Sequence, residues 1–474
     1  MKKTKIIATV GPASNSPRVI RGLLQHGVNV FRLNFSHGDH AFHENSIRTI
    51  RQEQKKLGIT AAILADLQGP KIRTGVCAGS GPITVKKGAK IIVTSRKVLC
   101  TAECISIDYQ HLERELKPGQ FVMINDGAIR LRVDAVDAAR RSARCTALTG
   151  GSYSSRKGVN LPNVNLRIPS LTVKDRRDLA LILKADINYI GLSFVRSARD
   201  VAALRAIAGR KRPDMKIIAK IEKPEAAAAI DGILSVSDGI MVARGDLGVE
   251  ASPFEVPILQ KDLVAKANHA GKLVIVATQM LESMIEHAAP TRAESTDVAN
   301  AIFDGTDAIM LSGETAVGAY PVEAAAMMAQ ISRTAEQSSY FSTGIVDLNP
   351  GERRSAGAVC EAAAWASRDL GGAPVCVFTL SGDTAHYLSK IRNQSTLFAF
   401  SPDKNVVNML SLAWNVTPIY IPFARHMADL IADAEKTLVA RRLTKKGDTI
   451  VIVSGTTPLR GATNFLRVKT IGEE

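Results

Sequence analysis

Eight short apolar runs, separated by helix-length amphipathic stretches, constrain what this chain can fold into more than any other feature. They are Lys5 to Val10, Asn29 to Asn34, Ala61 to Asp66, Ile187 to Phe194, Lys216 to Ile221, Gly239 to Ala243, Leu273 to Ala277 and Ala308 to Leu311. Runs of this kind alternating with helical segments are the pattern of βα units in a parallel sheet, whose strands are buried on both faces. Eight such strands close a barrel. The expected fold class is α/β, with a (β/α)8 TIM barrel at its centre.

Between the third and fourth runs the texture changes. Short alternating segments (Ile83 to Val85, Lys90 to Val93, Phe121 to Ile124, Ile129 to Val133) are punctuated by Lys117-Pro-Gly and Asn125-Asp-Gly turns. An inserted small β-barrel lid domain is expected there, leaving the barrel at the face where its βα loops gather and able to close over a site. Beyond a polar break at Leu348-Asn349-Pro350-Gly351, four further runs (Val375 to Thr379, Ser395 to Phe400, Pro418 to Ile421, Asp448 to Val453) alternate with helical stretches such as Ser355 to Leu370. The expected division is a barrel from residues 1–69 and 168–340, a lid from 70–167 and a C-terminal α/β domain from 341–474. A chain of 474 residues exceeds what one core holds, which agrees with several domains.

Composition narrows the function classes. The chain carries 61 Lys and Arg against 45 Asp and Glu, a formal charge of +16, which attracts nucleic acid, membrane surfaces and phosphorylated metabolites alike. The basic clusters Arg140-Arg141, Arg210-Lys211-Arg212 and Arg441-Arg442 are scattered, and aromatics are only 5% of the chain, so no stacking platform for nucleic acid is expected and the clusters read as solvated faces. No stretch approaches the roughly 18 uncharged apolar residues of a membrane helix. The run Ile6 to Val10 behind the basic start is too short for a signal peptide. Six cysteines (Cys77, Cys100, Cys104, Cys145, Cys360, Cys376) form no CxxC pair and read as reduced thiols. The expected setting is cytoplasmic.

Polar and charged residues collect at the C-terminal ends of the eight runs, where barrel loops build the working face. The second run ends Arg32, Asn34, Ser36, whose i, i+2, i+4 spacing shares one face of an extended chain. The third ends at Asp66, with Lys71 and Arg73 just beyond. Lys220 and Glu222 stand two apart at the end of the fifth, and the sixth runs into Arg244-Gly245-Asp246. Thr278 and Gln279 follow the seventh, Ser312 and Glu314 the eighth. One such residue is ordinarily a structural ion pair or cap, but charges at the ends of four or more strands are costly to bury unless they serve a metal or an ionic ligand. Glu222 and Asp246, carboxylates from adjacent strands, suit Mg2+ or Mn2+ completed by waters and substrate oxygens. His37, His40 and His43 recur every three residues, yet on a helix the third lies well off the face of the first, and no zinc is assigned. No GxxxxGK[ST] segment is present, so nucleotide binding would not use a P-loop.

Seven segments then occur in order: Ile6-Ile-Ala-Thr-Val-Gly-Pro12, Asn34-Phe-Ser-His-Gly38, Asp66-Leu-Gln-Gly-Pro-Lys-Ile-Arg73, Ala219-Lys-Ile-Glu222, Met241-Val-Ala-Arg-Gly-Asp-Leu-Gly248, Ala277-Thr-Gln-Met-Leu-Glu-Ser-Met284 and Leu311-Ser-Gly-Glu-Thr315. Together they resemble the successive signatures of the pyruvate kinase family over nearly the whole chain. The resemblance implies transfer of a phosphoryl group from phosphoenolpyruvate to ADP, giving pyruvate and ATP, a glycolytic step. It implies Lys220 as the cation on the transferring phosphoryl and the enolate, Glu222 and Asp246 as ligands of Mg2+ (or Mn2+), and backbone NH groups around Gly245 and Asp246 as the seat of the substrate carboxylate. It further implies Arg32 on the phosphate, Arg73, His37, Asn34 and Lys157 on the nucleotide side, and Thr278 near the enol carbon, with Ser312 and Glu314 extending a proton relay. A homotetramer is implied by family alone.

Two departures carry expectations. Potassium-requiring members have Glu where this chain has Lys71; Asn34, Ser36 and Asp66 keep the monovalent-cation pocket, and an ammonium on Lys71 would supply its charge, so activity without added K+ is expected. The resemblance also makes the C-terminal domain regulatory, with an effector phosphate at Thr379, Ser381, Gly382 and Thr384 and a second wall from Ser454 to Asn464. Asp383 and Leu380 stand where some fructose-bisphosphate-responsive members have Arg and Lys, leaving a sugar phosphate or a nucleotide as the effector class. The rival readings are a metal-dependent lyase or aldolase acting on a pyruvate enolate, separated by ADP binding, and a non-enzymatic basic nucleic-acid-binding protein, marked by steeply salt-dependent binding without turnover.

Overall fold

The computed structural model describes residues 2–164, 167–341, 354–424, 426–455 and 463–473. Eight parallel strands close into a barrel: Lys5–Val10, Val30–Asn34, Ala62–Asp66, Tyr189–Leu192, Lys216–Ile221, Gly239–Ala243, Leu273–Ala277 and Ala308–Leu311. Around the barrel they run in sequence order, the eighth pairing with the first (Lys5 opposite Ala308). All eight sequence runs are strands; the fourth is the most trimmed, because Phe194 leaves extended geometry at φ 53°.

Alternation along the strands explains how a buried barrel can carry charge. Ile7, Val30, Leu64 and Ile218 point into the barrel and pack in one buried cluster, and two residues on along the same strands come Thr9, Arg32, Asp66 and Lys220. The apolar layer fills the barrel; the polar layer caps it at the C-terminal end. Residues of opposite parity (Ile6, Phe31, Ile63, Ile217) face the surrounding helices in a second cluster. Burying these two layers is the main favourable term in the fold.

The segment between strands three and four forms a separate six-stranded sheet with its own core, including Ile91, Val122, Leu131 and Cys145. Its hairpin turn at Asn125, Asp126 and Gly127 takes φ of 55°, 53° and 86°, left-handed geometry that this turn sequence tolerates. Strands over Cys104–Ser106, Ser142–Ala147, Gly151–Tyr153 and Val159–Asn160 complete the domain beyond those expected from sequence. Because it departs just past Asp66, this domain overhangs the barrel's polar layer.

The C-terminal domain is a five-stranded sheet, parallel except for Thr463–Thr470, an antiparallel edge strand that the sequence reading did not anticipate. The helix expected over Ser355 to Leu370 spans Arg354–Asp369; the expected break at Leu348 to Gly351 lies outside the described residues. A buried ionic cluster docks this domain under the barrel: Asp307, just before strand eight, takes Arg392 Nη2 at 2.9 Å and Lys390 Nζ at 2.5 Å. Among the described residues no helix is long and apolar enough to cross a membrane.

Candidate active site

Five consecutive barrel strands supply a continuous polar network at the C-terminal rim. Arg32 Nε donates to Asp66 Oδ2 at 2.7 Å, and Nη1 to Thr9 Oγ1 at 3.1 Å. Lys220 Nζ lies 3.2 Å from Asp66 Oδ1 and 2.9 Å from Glu222 Oε1, and donates to Ser193 Oγ at 2.7 Å. Asp66, 1% exposed, thus shares its two oxygens between the two cations. Burial alone would raise its pKa; Lys220 and Arg32 outweigh that and hold it below the ordinary carboxylate value. Burial likewise favours a neutral Lys220, but Asp66 and Glu222 hold it protonated, above the ordinary lysine value.

Glu222 behaves oppositely. Burial, together with the nearby Asp246 charge, pushes its carboxyl up despite Lys220. Its Oε2 accepts from the Phe194 amide at 2.6 Å, which the left-handed backbone at Phe194 turns toward it. Two carboxylates that disfavour each other's charge form a fitting seat for a hard dication, since the ion would relieve both. Among the described residues no group of three or more His, Cys, Asp and Glu converges on one point, so an ion here would draw further ligands from water and substrate oxygens, as Mg2+ commonly does. Lys71, expected beside Asn34, Ser36 and Asp66, has its ammonium 3.7 Å from Asp246 Oδ1. Asn34 and Asp66 are register partners across strands two and three, and Asn34 Oδ1 accepts from the Ser36 amide at 3.1 Å.

Thr278 closes the other side. It has φ +74° and Gln279 +55°, a conformation that costs a β-branched residue about 1–3 kcal/mol and persists only where surroundings impose it. Its Oγ1 accepts from the Gly245 amide at 2.8 Å; a Cβ at Gly245 would lie 3.4 Å from that oxygen. The amide of Gly245, expected on the substrate carboxylate, is therefore engaged with Thr278 here. Glu314 is buried, its pKa raised by burial, and its oxygens accept from the amides of Leu281 (3.1 Å) and Ser312 (2.7 Å). Among the described residues, Ser312 Oγ is buried with no hydrogen-bond partner.

On the same rim, past the end of strand two, His37 lies among cations. Burial lowers its pKa, and Arg73, Lys71, Arg32 and Lys174 lower it further, so the imidazole is neutral in a field suited to phosphates. Arg73 Nη1 donates to the Arg156 carbonyl at 3.2 Å. Lys157 joins the same hinge through its main chain, which exchanges two hydrogen bonds with Thr74. The three histidines diverge: His40 bonds Asp178 at 2.8 Å, while His43 stacks on Phe35 with ring centroids 4.1 Å apart.

Sequence reasoning passed over two residues. Ser193, the first residue beyond strand four, holds Lys220, and a hydroxyl ending an otherwise apolar run was its signal. Lys174 donates to the Phe35 carbonyl at 2.5 Å and to Asp178 at 2.6 Å; no sequence signal marks it, since an exposed helical lysine is ordinary. In the C-terminal domain the Thr379 hydroxyl accepts from the Gly382 amide at 2.9 Å, Ser381 Oγ donates to Asp383 at 3.0 Å, and Thr384 and Thr463 share a hydrogen bond of 2.7 Å. Most of the expected second wall from Ser454 to Asn464 lies outside the described residues.

Comparison with known proteins shows the family. Residues 1–325 match the family described as "Pyruvate kinase, barrel domain" and residues 357–469 "Pyruvate kinase, alpha/beta domain". The chain is 41% identical to "Pyruvate kinase 2" of Synechocystis sp. over 99% of its own length and 79% of that protein's. It is 40% identical to "Pyruvate kinase" of Staphylococcus aureus (strain MRSA252) and 41% to that of Staphylococcus haemolyticus, over 100% of this chain and 81% of each relative.

Proposed function

Because the chain belongs to the pyruvate kinase family, we propose that it transfers the phosphoryl group of phosphoenolpyruvate to ADP, giving pyruvate and ATP. The observation that carries this reading is Lys220: a protonated, buried ammonium at the end of a largely apolar strand, braced by Asp66, Glu222 and Ser193. Phosphoryl transfer asks a protein for in-line positioning and charge compensation rather than covalent chemistry. Lys220 holds the bridging oxygen and the transferring group, and Arg32 neutralises the phosphoryl oxygens. Glu222 and Asp246 would hold Mg2+ (or Mn2+), which when bound would supply Lewis-acid stabilisation of the substrate carboxylate and enolate oxygens.

Thr278 stands where a proton reaches the enol carbon, with Ser312 and Glu314 behind it; Gly245 and Asp246 border the carboxylate. Arg73, His37, Asn34 and Lys157 line the nucleotide side beneath the lid. The domain limits 1–69 with 168–340, 70–167 and 341–474 divide catalysis, closure and regulation, with a sugar phosphate or nucleotide effector at Thr379, Ser381, Gly382 and Thr384. The assembly we propose is a cytoplasmic homotetramer. Pyruvate formation from phosphoenolpyruvate and ADP with Mg2+, run with Lys220→Met in parallel, tests the reading. Turnover falling by orders of magnitude in the variant is expected. Absence of turnover in the unaltered protein, with and without K+ and candidate effectors, would favour the lyase.

A further inference from the structure

Behind the rim lies a second ionic cluster that the reaction itself does not use. Glu250 ends the short helix Arg244–Glu250 that begins with Arg244, Gly245 and Asp246. Its Oε2 lies 3.1 Å from Lys223 Nζ, and its Oε1 accepts from Asn160 Nδ2 at 2.9 Å. All three side chains are buried: Glu250 is 5%, Lys223 4% and Asn160 6% exposed. A buried ion pair roughly breaks even against apolar packing, so stability alone does not explain its presence, whereas removing one partner strands a charge.

What the cluster connects is specific. Lys223 is the residue after Glu222, and Glu250 lies one helical turn beyond Asp246, so the pair joins the two segments that carry the metal-seat carboxylates. Asn160 belongs to the lid, where Val159–Asn160 pairs with Phe121–Ile124. The same three residues border a hinge crevice whose walls include Lys71 and Phe194, the latter donating to Glu222.

We propose that Glu250, Lys223 and Asn160 form a positioning triad: the Glu250–Lys223 pair fixes the spacing of Glu222 and Asp246, and Asn160 transmits the lid's position to that spacing. None of the three touches the reacting atoms. Outer groups of this kind commonly govern metal affinity by about 10–100-fold. The inference rests on Glu222 and Asp246 being the divalent-metal ligands.

The test is Mn2+ binding to the full chain, followed by the electron paramagnetic resonance of free Mn2+, without turnover. Glu222→Gln tests the underlying assignment: unchanged Mn2+ affinity in that variant would sink the metal seat itself. With the seat intact, Lys223→Met is expected to weaken Mn2+ about tenfold while the protein keeps a cooperative melting transition, and the exchanged pair Lys223→Glu with Glu250→Lys to return within about threefold. Asn160→Leu is expected to weaken Mn2+ less than Lys223→Met does and to speed hydrogen exchange in the segment around residues 157–161; Mn2+ affinity and exchange both unchanged would remove Asn160 from the triad. A folded Lys223→Met that binds Mn2+ within twofold of the unaltered protein overturns the proposal. Should that variant lose its melting transition, the same criterion applies to Glu250→Gln, which keeps the shape but not the charge.

Discussion

Arg244 Nη2 donates to the Thr278 carbonyl at 2.8 Å while its Nη1 holds Asp297 at 2.7 Å. The guanidinium also reaches the Gln279 carbonyl at 3.2 Å, so one planar group clamps both residues of the left-handed turn. That clamp supplies what an unfavourable φ at Thr278 requires, and it fixes where the Thr278 hydroxyl points.

Arg244→Lys keeps a charge but loses the fork. The expected result is a fall in kcat of about 10–100-fold with KM for phosphoenolpyruvate changed less than about threefold, because the lost alignment acts on proton delivery rather than on substrate binding. Exchange of pyruvate methyl protons with solvent, followed by NMR, should slow in parallel. A normal exchange rate in a variant with low kcat would show that Thr278 is not the group affected.

Asp66 is shared between Lys220 and Arg32, so Asp66→Asn leaves Arg32 without its carboxylate and Lys220 with Glu222 alone. Breaking a buried ionic network in this way costs about 3–5 kcal/mol of folding stability, measurable as a shifted midpoint in urea. Turnover should fall by at least about a hundredfold, since both cations lose their alignment. A stable variant with near-normal turnover would show that Lys220 is held by Glu222 and Ser193 alone.

The barrel was legible because its signal is local: each strand is a short apolar run, and the rim charges follow each run at fixed parity. The Arg32, Asp66 and Lys220 relationship follows from parity plus strand order. What stayed hidden depends on distant packing. Thr463–Thr470, of mixed polarity because it is an edge strand, shows no continuous apolar run. The left-handed geometry at Phe194 and Thr278 is not written in those residue types, which ordinarily avoid it. The family resemblance set Lys71 beside the pocket of Asn34, Ser36 and Asp66; that its ammonium lies 3.7 Å from Asp246 depends on how the chain turns into the lid past Gly69 (φ +66°), which residue types do not announce.

His386, in the C-terminal domain, donates its Nε2 proton to the Gly271 carbonyl at 2.8 Å. Burial lowers its pKa to about 4, and the Lys390 and Lys216 charges act in the same direction, against the Gly271 bond and Asp307. The unfolded chain therefore takes up its proton first as pH falls. Stability contributed by neutral His386 is nearly complete above about pH 6.5 and is lost progressively toward pH 4, by about 3 kcal/mol. Urea midpoints measured across it should flatten in His386→Gln; an equally steep loss in the variant would place the acid sensitivity elsewhere.

Lys71 yields the remaining prediction. Its ammonium lies 3.7 Å from Asp246 Oδ1, two residues before Arg73, and the proposal is that it supplies the charge a monovalent cation would bring to this rim. Rates of pyruvate formation in K+-free buffer should lie within about twofold of those with K+, since no ion then needs to be recruited before the transition state is compensated. Lys71→Glu removes that charge and adds a carboxylate close to Asp246, so its activity should collapse without K+ and recover as K+ is titrated in. Loss of most activity in the unaltered protein on removing K+ would show that Asn34, Ser36 and Asp66 still need an ion that Lys71 does not replace.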